Sequence, residues 1–130
     1  MYSIERTGYG YKITFAGFIR SDEMRSWVKE SEGHLSRQSG SFGVVVDMRD
    51  LKPLAPDAQR HLQDGQRAYK AKGMLRSAVI LNSPIITLQF KRMAAETGIG
   101  AWERYLDASK VADWEPKATA WVTAGTEPEA

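Results

Sequence analysis

Two short, wholly apolar runs constrain the fold more than anything else in the chain. Val44-Val45-Val46 and Ala78-Val79-Ile80-Leu81 each lead through a polar turn into a stretch with helical spacing. A strand with no polar face needs cover on both sides, as inner strands of a parallel α/β sheet have. Strands that alternate with helices imply a mostly parallel sheet with right-handed crossovers.

The remaining segments fit around those two strands. Tyr2 to Thr7 alternates weakly and reads as an edge strand. Gly8-Tyr9-Gly10 is a turn signal, and Tyr11 to Ile19 is rich in β-branched and aromatic residues, so the two form a hairpin. Ser21 is placed to cap a first helix, with Asp22 and Glu23 favouring its positive end. Met24, Trp27, Val28 and Leu35 follow at helical spacing. A second helix is expected from Pro56 to near Lys72, with Leu62 and Tyr69 inward and Gly73 at its end. Ser83-Pro84 opens a third helix carrying Ile86, Phe90, Met93 and Ala94, which stops at Gly98. Glu103 to Leu106 is a short last strand. Val111, Trp114, Ala118, Trp121 and Val122 form a final helical stripe, in which Pro116 predicts a kink or a break. Residues 1–124 read as one domain and 125–130 (GTEPEA) as a flexible tail. The expected fold is α/β, with a small mixed, mostly parallel sheet of about five strands, an N-terminal hairpin and about four helices.

Composition narrows function mainly by exclusion. The 18 basic and 16 acidic residues leave a net charge of only +2, and no Lys/Arg cluster is interleaved with aromatics, so no nucleic-acid partner is expected. Cysteine is absent, which excludes disulfides, thiolate metal sites and cysteine nucleophiles and fits a reducing compartment. The opening MYSIERTG is charged where a signal peptide would be apolar, and no apolar run approaches the roughly 20 residues of a membrane span. A cytoplasmic protein is expected.

Four stretches carry a family resemblance: YKITFAGFI before a helix, FGVVVDMRDL, RSAVILNSP, and ERYLD followed by a helix containing AWV. Their order and spacing over residues 2–122 resemble the STAS domains of anti-sigma-factor antagonists, most closely the SpoIIAA-like group also called STAS/SEC14. The resemblance implies a regulatory module without catalysis. In those antagonists a kinase phosphorylates a serine in an Asp-Ser-Ser-Gly-type motif at the start of the second helix. Ala55-Pro56-Asp57-Ala58 stands at that place here, and no serine or threonine occurs from Met48 to Leu62. The phosphorylation switch is therefore not carried over. Asp57 either supplies a fixed negative charge near the helix start or, more simply, favours the helix dipole.

Ligands of open α/β sheets favour the carboxyl ends of the strands. The residues leaving those ends are Arg20, Ser21, Arg49, Asp50, Asp57, Asn82 and Ser83, and they form a candidate rim for a ligand or partner. Asn82-Ser83 also opens a helix whose N–H groups can receive an anion, although ordinary capping by Ser83 is the simpler reading. Asp47 and Asp50 are spaced Asp-x-x-Asp rather than the Asp-x-Asp of metal-dependent phosphoryl-transfer sites, so turn-forming roles are preferred for both. His34 and His61 lie on different helices without a second ligand at metal spacing. No metal, cofactor or catalytic residue is assigned.

The third helix is apolar over a broad arc: Ile85, Ile86, Leu88, Phe90 and Met93. One stripe suffices to face the sheet, and Ile85, Leu88 and Phe90 are the expected dimer face. The first functional reading is a non-enzymatic STAS-like interaction module, acting on a protein partner or as a homodimer. The second is a SEC14-like domain holding a small apolar ligand or lipid between sheet and helices. The third is an enzyme with Asp47, Asp50 and Asp57 around a metal.

Overall fold

A computed structural model describes residues 1–128. Five strands and four helices follow in the expected order: β1 (Tyr2–Arg6), β2 (Gly10–Gly17), α1 (Ser21–Leu35), β3 (Phe42–Leu51), α2 (Pro56–Ala71), β4 (Met74–Leu81), α3 (Pro84–Thr97), β5 (Glu103–Asp107) and α4 (Trp114–Ala124). A short 3-10 turn, Ile99–Ala101, links α3 to β5. The strands lie side by side in chain order. β1 pairs antiparallel with β2, from Tyr2 opposite Phe15 to Arg6 opposite Tyr11, and every later pairing is parallel.

Alternation along the strands divides the interior in two. Tyr11, Ile13 and Phe15 of β2, Val44, Val46 and Met48 of β3, and Val79 and Leu81 of β4 face the side covered by α1 and α2. Val45, Ala78, Ile80 and Leu106 face the opposite side, where α4 brings Ala118, Trp121 and Val122. The all-apolar character of the two diagnostic runs is explained by this cover on both faces. α4 approaches β3 closely because Gly43 has no side chain: a Cβ there would lie 2.7 Å from the Val122 Cβ.

α1 and α2 are locked together by one large contact. Trp27 is 2% exposed and stacks on Tyr69, with ring centroids 5.8 Å apart and planes at 11°. Its indole edge fills the space beside Gly65, where a Cβ would come within 2.1 Å of the ring. The Tyr69 hydroxyl donates to Ser31 Oγ at 2.8 Å, and burial pushes its pKa up to about 12.

Several local expectations need correction. Arg20, not Ser21, is the N-cap of α1, in extended conformation, and Ser21 is the first helical residue with no side-chain cap bond. Pro116 neither kinks nor breaks α4, because the helix starts at Trp114 and the proline sits in the first turn, where its missing N–H has no intrahelical partner to lose. Val111 precedes that helix in the turn after β5, where its N–H donates to the Asp107 carbonyl. α3 buries Thr87 and Ala94 rather than Ile86 and Met93, which are 43% and 57% exposed. Of the expected tail, residues 129–130 lie outside the described residues, while Gly125 ends α4 in the left-handed conformation and Glu127 returns to pair with Arg104.

Candidate functional site

The rim expected at the carboxyl ends of the strands divides into separately engaged groups. Ser83 is an N-cap, its Oγ accepting the Ile86 N–H at 3.3 Å. Asp57 turns back on its own helix start and accepts the Ala58 N–H at 3.0 Å. Arg20 and Asn82 are exposed, and Asp50 is an exposed residue near the end of β3, paired in register with Ala16. Arg49 leaves the rim altogether. Val45 and Asp47 face α4, and the Arg49 guanidinium lies on the same side, 4.5 Å from the Trp114 ring centroid.

On that face the charges form a closed set. Arg49 grips Asp47 through Nε (3.0 Å) and Nη2 (2.9 Å), and its backbone N–H adds a third bond at 3.1 Å. Burial pushes the Asp47 carboxyl up, but these bonds and the charges of Arg49 and Lys12 outweigh it and hold the group below the usual carboxylate range. Lys12 Nζ meets Glu115 at 2.7 Å across the sheet–α4 boundary. The cluster therefore pins the start of α4 to the sheet. Asp50 lies beyond a bulge in β3, opposite Ala16, and among the described residues no group of three or more His, Asp or Glu side chains is gathered for a metal. Asp47→Asn is expected to cost about 1–3 kcal/mol at neutral pH. In urea melts the wild type should lose this advantage as pH falls through the depressed Asp47 pKa, since that stability belongs to the ionised form.

A second polar cluster escaped sequence reasoning. Glu103 is 7% exposed on β5, opposite Ser77 of β4 in the parallel register. The Ser77 hydroxyl donates to Glu103 Oε1 at 2.7 Å, and the Tyr105 hydroxyl donates to Oε2. Burial raises the Glu103 pKa, and the two neutral donors offset this only in part. The alternation of Glu103 with Tyr105 was visible in ERYLD, but Ser77 as the neighbour was not.

The interior beside this cluster holds a small cavity. It measures about 20 Å³ and lies between sheet and helices, bordered by Phe15, Trp27, Leu62, Gln66, Trp102 and Glu103. That is room for about one water. A lipid-sized ligand would require the helices to part from the sheet.

α3 stands apart. It packs on β5 and the 3-10 turn, and its inward stripe is Thr87, Phe90 and Ala94. Phe90 must therefore be removed from the expected dimer face: it is half-buried, edge-on to Tyr105 at 5.6 Å between centroids. Ile85 (71%), Leu88 (50%) and Met93 (57%) remain exposed on the outer side.

This arrangement defines an α/β module of consecutive strands, with three helices on one face and one on the other. Neither a family model nor a curated protein matches the sequence. A solved structure does: an uncharacterized protein from the DUF3478 family with a SpoIIAA-like fold, from Shewanella loihica PV-4. The match has a TM-score of 0.68 and covers 94% of this chain and 92% of that one, at 15% sequence identity. The chain thus has a SpoIIAA-like fold, as the four quoted stretches implied. Among the described residues no helix is long and apolar enough to cross a membrane.

Proposed function

We propose that this chain is a non-enzymatic SpoIIAA-like interaction module that self-associates through the outer face of α3. The observation that carries the reading is the exposure of Ile85, Leu88 and Met93 on a helix that buries only Thr87 and Ala94 fully. Ile85 and Leu88 are neighbours one turn apart, and exposed apolar pairs of this kind mark protein–protein contact sites. Lys91, Arg92 and Glu96 on the same helix provide both signs of charge, so two antiparallel copies are not repelled. The absence of catalysis is supported by the way Asp47 is spent on Arg49 and Ser83 on capping.

Native mass spectrometry and sedimentation over a concentration series test this. A dimer is expected for the wild type. Leu88→Glu, with no core contact to lose, should weaken it roughly tenfold or more, as for a central interface residue. A wild type that stays monomeric at every concentration would overturn the self-association.

A further inference from the structure

A second opening lies along β5, away from the outer face of α3, and its reading is independent of the proposed function. α3 and the 3-10 turn form one wall and residues 127–128 the other, leaving a cleft of about 320 Å³. Lys91, Ala94, Ala95, Gly100, Glu103, Arg104 and Tyr105 line it, the Glu103 carboxylate being taken up by Ser77 and Tyr105. The size is at the lower end of small-molecule sites, and the small side chains on the α3 wall account for the space.

Arg104 is the built feature of this cleft. Its guanidinium lies 4.0 Å from the Trp121 ring centroid, which sets its plane. Nη1 donates to the carbonyls of Gly100 and Glu103, which sets its rotation within that plane. Nε and Nη2 are left pointing the same way, in the fork that matches a carboxylate. The Glu127 carboxylate fills the fork, with Nε to Oε2 at 2.8 Å, Nε to Oε1 at 3.0 Å, and Nη2 to Oε1. The two partners are unequally held. The Arg104 side chain is 26% exposed and fixed by three neighbours, whereas the Glu127 side chain is 62% exposed on a segment beyond the end of α4. A contact made by an exposed side chain outside any helix or strand opens at low cost.

The geometry points to a binding site for a small aliphatic carboxylate, with its head in the Arg104 fork and its chain against Ala94, Ala95 and Tyr105. Glu127 is the internal occupant that such a ligand displaces. Lys91 adds a second positive charge on the opposite wall.

The test is a titration of the full chain with sodium hexanoate, followed by the backbone amide shifts of Gly100 and Arg104, with hexan-1-ol as the control of equal length. Hexanoate is expected to produce saturable shifts and hexan-1-ol none. Glu127→Gln should bind hexanoate about tenfold more tightly, which corresponds to a fork occupied by Glu127 about nine-tenths of the time. Arg104→Lys keeps the charge without the fork and should lose most of the binding, in a protein whose other amide shifts are unchanged. Equal affinity in the wild type and Glu127→Gln, equal shifts with the alcohol, or no shift at either amide would each overturn the assignment.

Discussion

Trp27→Ala is expected to cost about 3–5 kcal/mol of folding stability and Gly65→Ala about 1–3 kcal/mol, yet the two together should cost less than their sum. The first substitution empties the joint between α1 and α2, where the indole is 2% exposed and touches both Phe15 and Tyr69. Its buried N–H has no acceptor among the described residues, which places the loss toward the lower end. The second substitution drives a methyl group to within 2.1 Å of the ring, and the ring cannot swing away because Tyr69 is stacked against it. Once the ring is gone, that methyl has space. Alanine then gains about 0.5–1 kcal/mol over glycine inside a helix. Urea unfolding of the wild type, both single variants and the double variant measures the coupling. Additivity within about 0.5 kcal/mol would mean that the ring and Gly65 do not confront each other as described.

Glu103→Gln is expected to stabilise the protein above the ordinary glutamate range and to leave it nearly unchanged below that range. The sign follows from the burial that raises the Glu103 pKa in the folded state. Between the ordinary and the raised value, the folded protein binds more protons than the unfolded chain, so wild-type stability falls as pH rises through that window. Glutamine keeps the shape and still offers a polar partner to Ser77 and Tyr105, but it carries no charge to desolvate. Each tenfold displacement of proton affinity corresponds to about 1.4 kcal/mol. The quantity to measure is the difference between variant and wild type across pH 4 to 8, because the Asp47 pair works in the opposite direction in both proteins. A flat difference would show that Glu103 is solvated or paired in solution.

Most of the architecture was legible because it depends on local signals. The apolar runs at Val44 and Ala78 could only be inner strands, and Ser83-Pro84 announced a helix that Ser83 does cap. The errors lie where distance along the chain decides. Helical spacing allowed Ile86 and Met93 to face inward as readily as Thr87 and Ala94. The choice was made by β5 and Tyr105, residues that arrive later and draw Phe90 inward. Pro116 interrupts a helix only if Val111 is already helical, yet the chain still turns at Val111. A position after a strand predicts a rim residue in Arg49, but β3 continues through a bulge to Leu51 and the guanidinium lies over Trp114. The Glu103 and Arg104 clusters each need partners 26 and 23 residues away, which no local pattern contains.

The consecutive strand order also bears on how the chain is made. Each strand that leaves the ribosome is laid beside the one completed just before it. No strand has to be inserted between two that are already paired, and no sheet edge has to be held open for a distant segment. Assembly can keep pace with synthesis until β5 is in place. α4 is the exception: it covers Val45, Ala78, Ile80 and Leu106, so the second face of the sheet lacks that cover until α4 has emerged. The order of synthesis thus makes one face of the sheet available for packing before the other, which waits for α4.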